Sequence, residues 1–257
     1  AVKSITKMSG IRERRVVMPG QCASDLAYAA AKRLIEHLEI DPATIDLLTF
    51  TSQTPDYRTP ATSSVLHGRL GLSEDCCTFD ITQACSSFMQ SLQVAHSMIV
   101  AGTARRALVL NGDAISTLIN PMDRGLMCLH GDGATAALLE KSETPNGGIE
   151  FIKTGTDGIK FDRILVPSGG ARMPSNSETN VEITDEDGCV RSLDQLFMDG
   201  PAVFHFAVYK IPDVIKQAIH KAGLAIEDFD MVLLHQANKT MVDLIYRALS
   251  VPKEKRF

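Results

Sequence analysis

LIEHLEIDPATIDLLTFT (residues 34–51) can be laid without gaps over AIHKAGLAIEDFDMVLLH (218–235), at a constant offset of 184 residues. Ile35 then meets Ile219, Ile40 meets Leu224, Ile45 meets Phe229, Asp46 meets Asp230 and Leu48 meets Val232. In both copies a helical spacing of apolar residues gives way to an acidic turn and then to an apolar run, so helix, turn and strand recur together. Two related halves are the reading this supports. Convergence of two ordinary helix-to-strand units is the alternative.

Around the first copy the pattern alternates. Leu26, Ala30, Leu34 and Leu38 fall four apart over 24–38, predicting an amphipathic helix with Ser24 available as N-cap. The run IDLLTF (45–50) predicts a strand, and a second helix is expected up to Leu70. CTFDI (77–81) is another strand, followed by a long helical pattern from Ser86 to Ala101 and the strand RALVLNG (106–112). Short unbroken apolar strands between helices imply a largely parallel sheet buried on both faces. Between the halves, residues 155–199 are rich in Gly, Pro, Ser and acidic side chains, with ILVP (164–167) as an apolar interruption. They are expected to form a long excursion, read as a cover on the substrate side.

The composition sets limits. With 257 residues, 44% of them hydrophobic and 22% charged, the chain can bury a full core. A net charge of -5 argues against general nucleic-acid binding. Neither a membrane span nor a cleavable leader is visible, so the cytoplasm is the expected location. The six cysteines contain no C-x-x-C pair, which predicts reduced thiols and no metal site. DEDG (185–188) lacks a full set of calcium ligands, and GDGATA leads into a strand pattern where a dinucleotide loop would lead into a helix.

Two residues stand out chemically. Cys85 lies between the strand 77–81 and the following helix, where unpaired N–H groups and the positive end of the helix dipole are expected to favour thiolate and to receive an oxyanion. His235 ends the apolar run MVLLH at the position that corresponds to Thr51 in the first copy. Strand ends carry the ligands of open α/β sheets. A histidine there can polarise a carbonyl or accept a proton. A small packed cysteine and a structural histidine are the plainer alternatives.

These residues also carry a family likeness. GIRER (10–14), ACSSF (84–88), DRG (123–125), GDGA (131–134) and HQAN (235–238) resemble, in order and spacing, β-ketoacyl-acyl carrier protein synthase III of the thiolase-like condensing enzymes. The resemblance implies an α/β thiolase-like fold of two related halves in a layered αβαβα arrangement, with residues 1–150 carrying Cys85 and residues 151–257 carrying His235, the second half incomplete. It implies an acyltransferase with no cofactor, taking an acyl group from acyl-CoA onto Cys85 and condensing it with malonyl-acyl carrier protein, with His235 stabilising the enolate. The family's partner asparagine and glycine-rich loop would fall beyond Phe257. By the same resemblance Arg124 stacks on the CoA adenine and Phe204 lines the pocket. Gln236, Ala237, Asn238, Lys239 and Thr240 form a docking segment, Thr240 standing where the family has arginine. A homodimer is implied, and Lys210, Lys216, Lys221, Lys239 and Arg247 are candidates to face an acidic carrier protein. An acyltransferase with a non-malonyl acceptor and a non-catalytic acyl-binding subunit remain as alternatives.

Overall fold

The computed structural model describes residues 2–142 and 147–257, with the backbone alone for residues 2–4. In chain order the helices and strands are α1 (Val2–Ser9), α2 (Ala23–His37), β1 (Leu47–Thr51), α3 (Thr62–Leu70), β2 (Cys77–Ile81), α4 (Ser87–Val100), β3 (Arg106–Asp113), α5 (Arg124–Met127) and β4 (Gly133–Glu140). There follow β5 (Ile164–Leu165), β6 (Ile183–Thr184), β7 (Val190–Arg191), β8 (Phe197–Met198), α6 (Gly200–His205), α7 (Ile211–Lys221) and α8 (Lys239–Ala248). The described residues within 15–116 and 131–154 pack as one compact unit, and those within the first 14 residues, 117–130 and 155–257 as another.

In the first unit the strand order is β2-β1-β3-β4, with β1 parallel to both β2 and β3 and β3 antiparallel to β4. Successive side chains of a strand point to opposite faces, and both faces here are covered. Leu48, Phe50, Leu108 and Leu110 pack with Ala27, Ala31 and Ile35 of α2 and Leu66 of α3. Leu47, Ala107 and Val109 pack with Ala95 of α4 on the other side. Two-sided burial is why β1 and the middle of β3 lack a polar alternation, with Leu47, Leu48 and Phe50 in one and Ala107, Leu108, Val109 and Leu110 in the other. Ser24 is not the cap of α2. Cys22 holds that place, its backbone N–H donating to Asp25 Oδ2 at 2.9 Å, while Ser24 Oγ donates to Asp56 at 2.6 Å. The hydroxyl sits two residues past the cap position, too far into the helix to serve its free N–H groups.

The repeat is visible as local structure. α2 ends at His37 and α7 at Lys221, the same offset of 184. Leu38, Glu39 and Ile40 donate to Leu34, Glu36 and Ile35, and Ala222, Gly223 and Leu224 donate to Ala218, His220 and Ile219 in the same pattern. Glu39 (φ 51°) and Gly223 (φ 71°) occupy the same left-handed step, and the 3₁₀ turns Pro42–Thr44 and Ile226–Asp228 coincide. The copies part at the strand. Segment 231–235 is extended but makes a single parallel bridge, Val232 to Arg256, with the Val232 N–H donating to Lys255 at 2.8 Å. β1 has a neighbour on each side, whereas 231–235 pairs with no further strand among the described residues. An apolar run makes a ladder only where a second strand supplies its hydrogen bonds. Val232 and Leu234 face the second unit's core of Met241, Val242, Ile245 and Tyr246 on α8 with Leu249 just after it, and Met231 and Leu233 are exposed.

Residues 155–199 are less irregular than their composition suggests. β5 pairs with β8 and β6 with β7, two short antiparallel ribbons. DEDG forms the tight turn of the second, with Asp185 accepting the N–H groups of Asp187 and Cys189.

Candidate active site

β2 delivers the chain to Ile81, and four residues later Cys85 stands at the tip of a sharp turn. Ala84 is held at φ 50°, a left-handed conformation that costs a non-glycine residue on the order of 1 kcal/mol. Residues Ala84–Ser86 make one 3₁₀ turn that runs into α4. Two hydroxyls close it: Ser87 Oγ accepts the Gln83 N–H at 2.7 Å, and Ser86 Oγ donates to the Gln83 carbonyl at 2.8 Å. Phe88 then anchors α4 on the sheet. ACSSF is thus read in full: a strained alanine, an exposed thiol, two serines that close the turn and a phenylalanine that fixes it.

Protein crowds the exposed thiol closely enough for desolvation to raise its pKa, and the charge of Asp113 adds to the rise, outweighing the lowering by its own backbone N–H. The helix-terminus argument predicted the opposite direction. Asp113 is fixed at the end of β3, accepting the Gln53 N–H at 2.6 Å and Ser52 Oγ at 3.1 Å. Thr51 Oγ1 donates to Asn111 on the same strand ends.

In the second unit His235 continues the odd-numbered, outward face of the extended segment and is exposed. Its pKa is lowered by desolvation and by His130. At neutral pH the ring is therefore uncharged. His130 is tied through Nδ1 to the Leu126 carbonyl at 3.1 Å.

The chain matches known proteins over nearly all its length. It is 35% identical over 251 residues to the β-ketoacyl-[acyl-carrier-protein] synthase III of Caldanaerobacter subterraneus subsp. tengcongensis, covering 98% of this chain and 72% of that one. The chain belongs to the β-ketoacyl-[acyl-carrier-protein] synthase III family. The relative from a Roseiflexus species is 36% identical over 253 residues, covering 98% and 74%. A solved 3-oxoacyl-(acyl-carrier-protein) synthase III superposes with a TM-score of 0.94 at 31% identity, over 99% of this chain and 76% of that structure. The profile described as 3-oxoacyl-[acyl-carrier-protein (ACP)] synthase III matches residues 79–158, the stretch that holds the Cys85 turn. The thiolase-like α/β fold expected from the motifs is the fold of these synthases.

Several family motifs do visible structural jobs. Asn238 caps α8, its side chain accepting the Met241 N–H at 2.9 Å. Asn238→Ala is expected to cost about 1 kcal/mol in urea unfolding with an unchanged denaturant slope. Ala237 and Phe204 are half-buried against the α8 core. Gln236 donates to Leu234 at 3.1 Å, and Thr240 Oγ1 to the Met8 carbonyl at 2.8 Å. Lys239 pairs with Asp243 at 2.6 Å on the exposed helix surface, an ion pair worth only a few tenths of a kcal/mol. Arg124 is exposed on the single turn α5, and among the described residues it makes no ion pair. Arg191, which no motif marks, donates to Asp123 beside it at 3.0 Å. No group of described His, Cys, Asp or Glu side chains is arranged to hold a metal ion, and no described helix is long and apolar enough to cross a membrane.

Proposed function

We propose that this chain catalyses acyl transfer from acyl-CoA to Cys85, followed by decarboxylative condensation with malonyl-acyl carrier protein, in fatty acid or related biosynthesis. The observation that carries the reading is the Cys85 turn itself, an exposed thiol on a strained step between a parallel strand and a helix N-terminus. It stands in a chain 35% identical to a β-ketoacyl-[acyl-carrier-protein] synthase III.

In the first step the Cys85 sulfur attacks the thioester carbonyl, the C–S bond to CoA breaks, and the proton of Cys85 leaves with the CoA thiol. The oxyanion is received by backbone N–H groups where the Cys85 turn enters α4. In the second step the malonyl thioester loses carbon dioxide, and the enolate carbon attacks the acyl-cysteine and expels the Cys85 thiolate. A neutral His235 donates a hydrogen bond to the enolate oxygen. Residues 1–150 thus supply the nucleophile and 151–257 the enolate donor. Arg124 contacts the nucleotide end of CoA, Phe204 borders the acyl site, and 236–240 meet the carrier protein. We further propose a cytoplasmic homodimer that needs no cofactor.

The test is intact mass of the protein after acyl-CoA, then after malonyl-carrier protein. A thiol-labile adduct discharged with one carbon dioxide released per acyl group is expected. Discharge only by another acceptor would replace condensation with simple acyl transfer, and an absence of adduct at every acyl length would remove Cys85 as nucleophile.

A further inference from the structure

Asp123 is 1% exposed. A carboxylate so buried requires compensation. Its Oδ1 accepts the Leu126 N–H at 3.0 Å and caps α5, while its Oδ2 accepts Arg191 Nε at 3.0 Å from strand β7. Arg191 also donates from Nη2 to Asp185 at 2.7 Å and lies 5.5 Å from the centroid of the Phe197 ring. Three further bonds fasten the same two stretches. The Leu196 N–H donates to Leu118 at 2.7 Å, and Asn120, 3% exposed, donates from Nδ2 to Glu182 at 2.7 Å and to Gln195 at 3.2 Å.

α5 has only four residues, too few to hold a helical turn by propensity. Its orientation is set by what it rests on, and that is the β6–β7 ribbon. Gly125 shows how close the seat is: a Cβ there would lie 3.3 Å from Asp123 Oδ1 and 3.7 Å from the sulfur of Cys189, in the ribbon's own turn. Arg124, between the capping aspartate and this glycine, is the residue left pointing outward.

We propose that Arg191 is a positioning residue for acyl-CoA: through Asp123 it fixes the turn that presents Arg124 to the nucleotide end of the donor. The ribbon within 155–199 is then part of the donor site's foundation. The inference rests on the role given to Arg124 above.

The experiment compares acyl-CoA with acyl-pantetheine, which lacks the nucleotide, as acyl donors to the full chain. Arg191→Ala is expected to raise KM for acyl-CoA about tenfold more than KM for acyl-pantetheine, with kcat for the two donors changed alike. Because Arg191→Ala leaves a buried carboxylate unpaired and can fail to fold, Arg191→Lys is measured beside it. It keeps a charge without the planar fork, and is expected to show the same donor selectivity at about threefold. Equal loss with both donors, in whichever variant folds, would make Arg191 merely structural and overturn the proposal. Arg124→Ala separates the two levels. If it raises KM for acyl-CoA selectively and the Arg191 variants do not, the positioning role falls and the Arg124 reading stands. If Arg124→Ala shows no donor selectivity, the Arg124 reading falls and takes the proposal with it.

Discussion

Cys85→Ser is expected to take up no thiol-labile acyl group from acyl-CoA and to lose condensation by on the order of a thousandfold or more, with its unfolding transition little changed. The stability half follows from how little the substitution changes: serine is nearly isosteric with cysteine, and the turn is closed by Ser86 and Ser87. The activity half follows from the chemistry. Even a thiol with a raised pKa ionises far more readily than an aliphatic hydroxyl, and a thioester is the product that a second thioester enolate can discharge. Desolvation and Asp113 both oppose the thiolate at Cys85. Alkylation of the wild type, after subtraction of the Cys85→Ser signal, should therefore rise with pH through a midpoint above that of an ordinary cysteine. A midpoint below it would mean that the helix terminus dominates after all, and full acylation of Cys85→Ser would remove the nucleophile assignment.

The interplay at that thiol illustrates what could be read ahead of the structure. A cysteine between a strand pattern and a helix pattern was legible, because periodicity alone places the junction. The left-handed Ala84 was not, since nothing in alanine foretells that conformation; the geometry is imposed by the strand and helix it joins. The sign of the pKa shift was misjudged for a related reason. The dipole of α4 is a local property of sequence, whereas burial and the Asp113 charge depend on which strand ends come together.

The same division runs through the fold. β1 and β3 were readable because two-sided burial writes itself as a largely apolar run, while the edge strand β2 was readable from its short β-rich spelling alone. MVLLH has an equally apolar spelling, but among the described residues 231–235 has a single bridge, to Arg256, so the run records a capacity for pairing that only a neighbour realises. The two ribbons in 155–199 were hidden because each is made by pairing at a distance, Ile164 with Met198 and Ile183 with Arg191. Arg191 was hidden for that reason too. A buried Asp123 demands a cation, but the one that answers lies 68 residues away.

His235→Ala is expected to keep acylation of Cys85 within about tenfold of wild type while lowering carbon dioxide release and condensation by roughly 100- to 1,000-fold, the usual cost of removing one oxyanion donor. The split follows from protonation. Desolvation and His130 hold His235 below the ordinary histidine range, so at neutral pH it is an uncharged donor. It can stabilise an enolate, and the acylation step has less use for it. The titration of the ring, followed by its own NMR signals, should accordingly have a midpoint below that of a free histidine. His130→Ala removes the neighbouring imidazole that opposes a charge on His235, and should move that midpoint towards higher pH. Equal loss of both steps in His235→Ala would instead assign the imidazole to activating Cys85, and a variant that releases carbon dioxide at the wild-type rate would exclude His235 from the chemistry altogether.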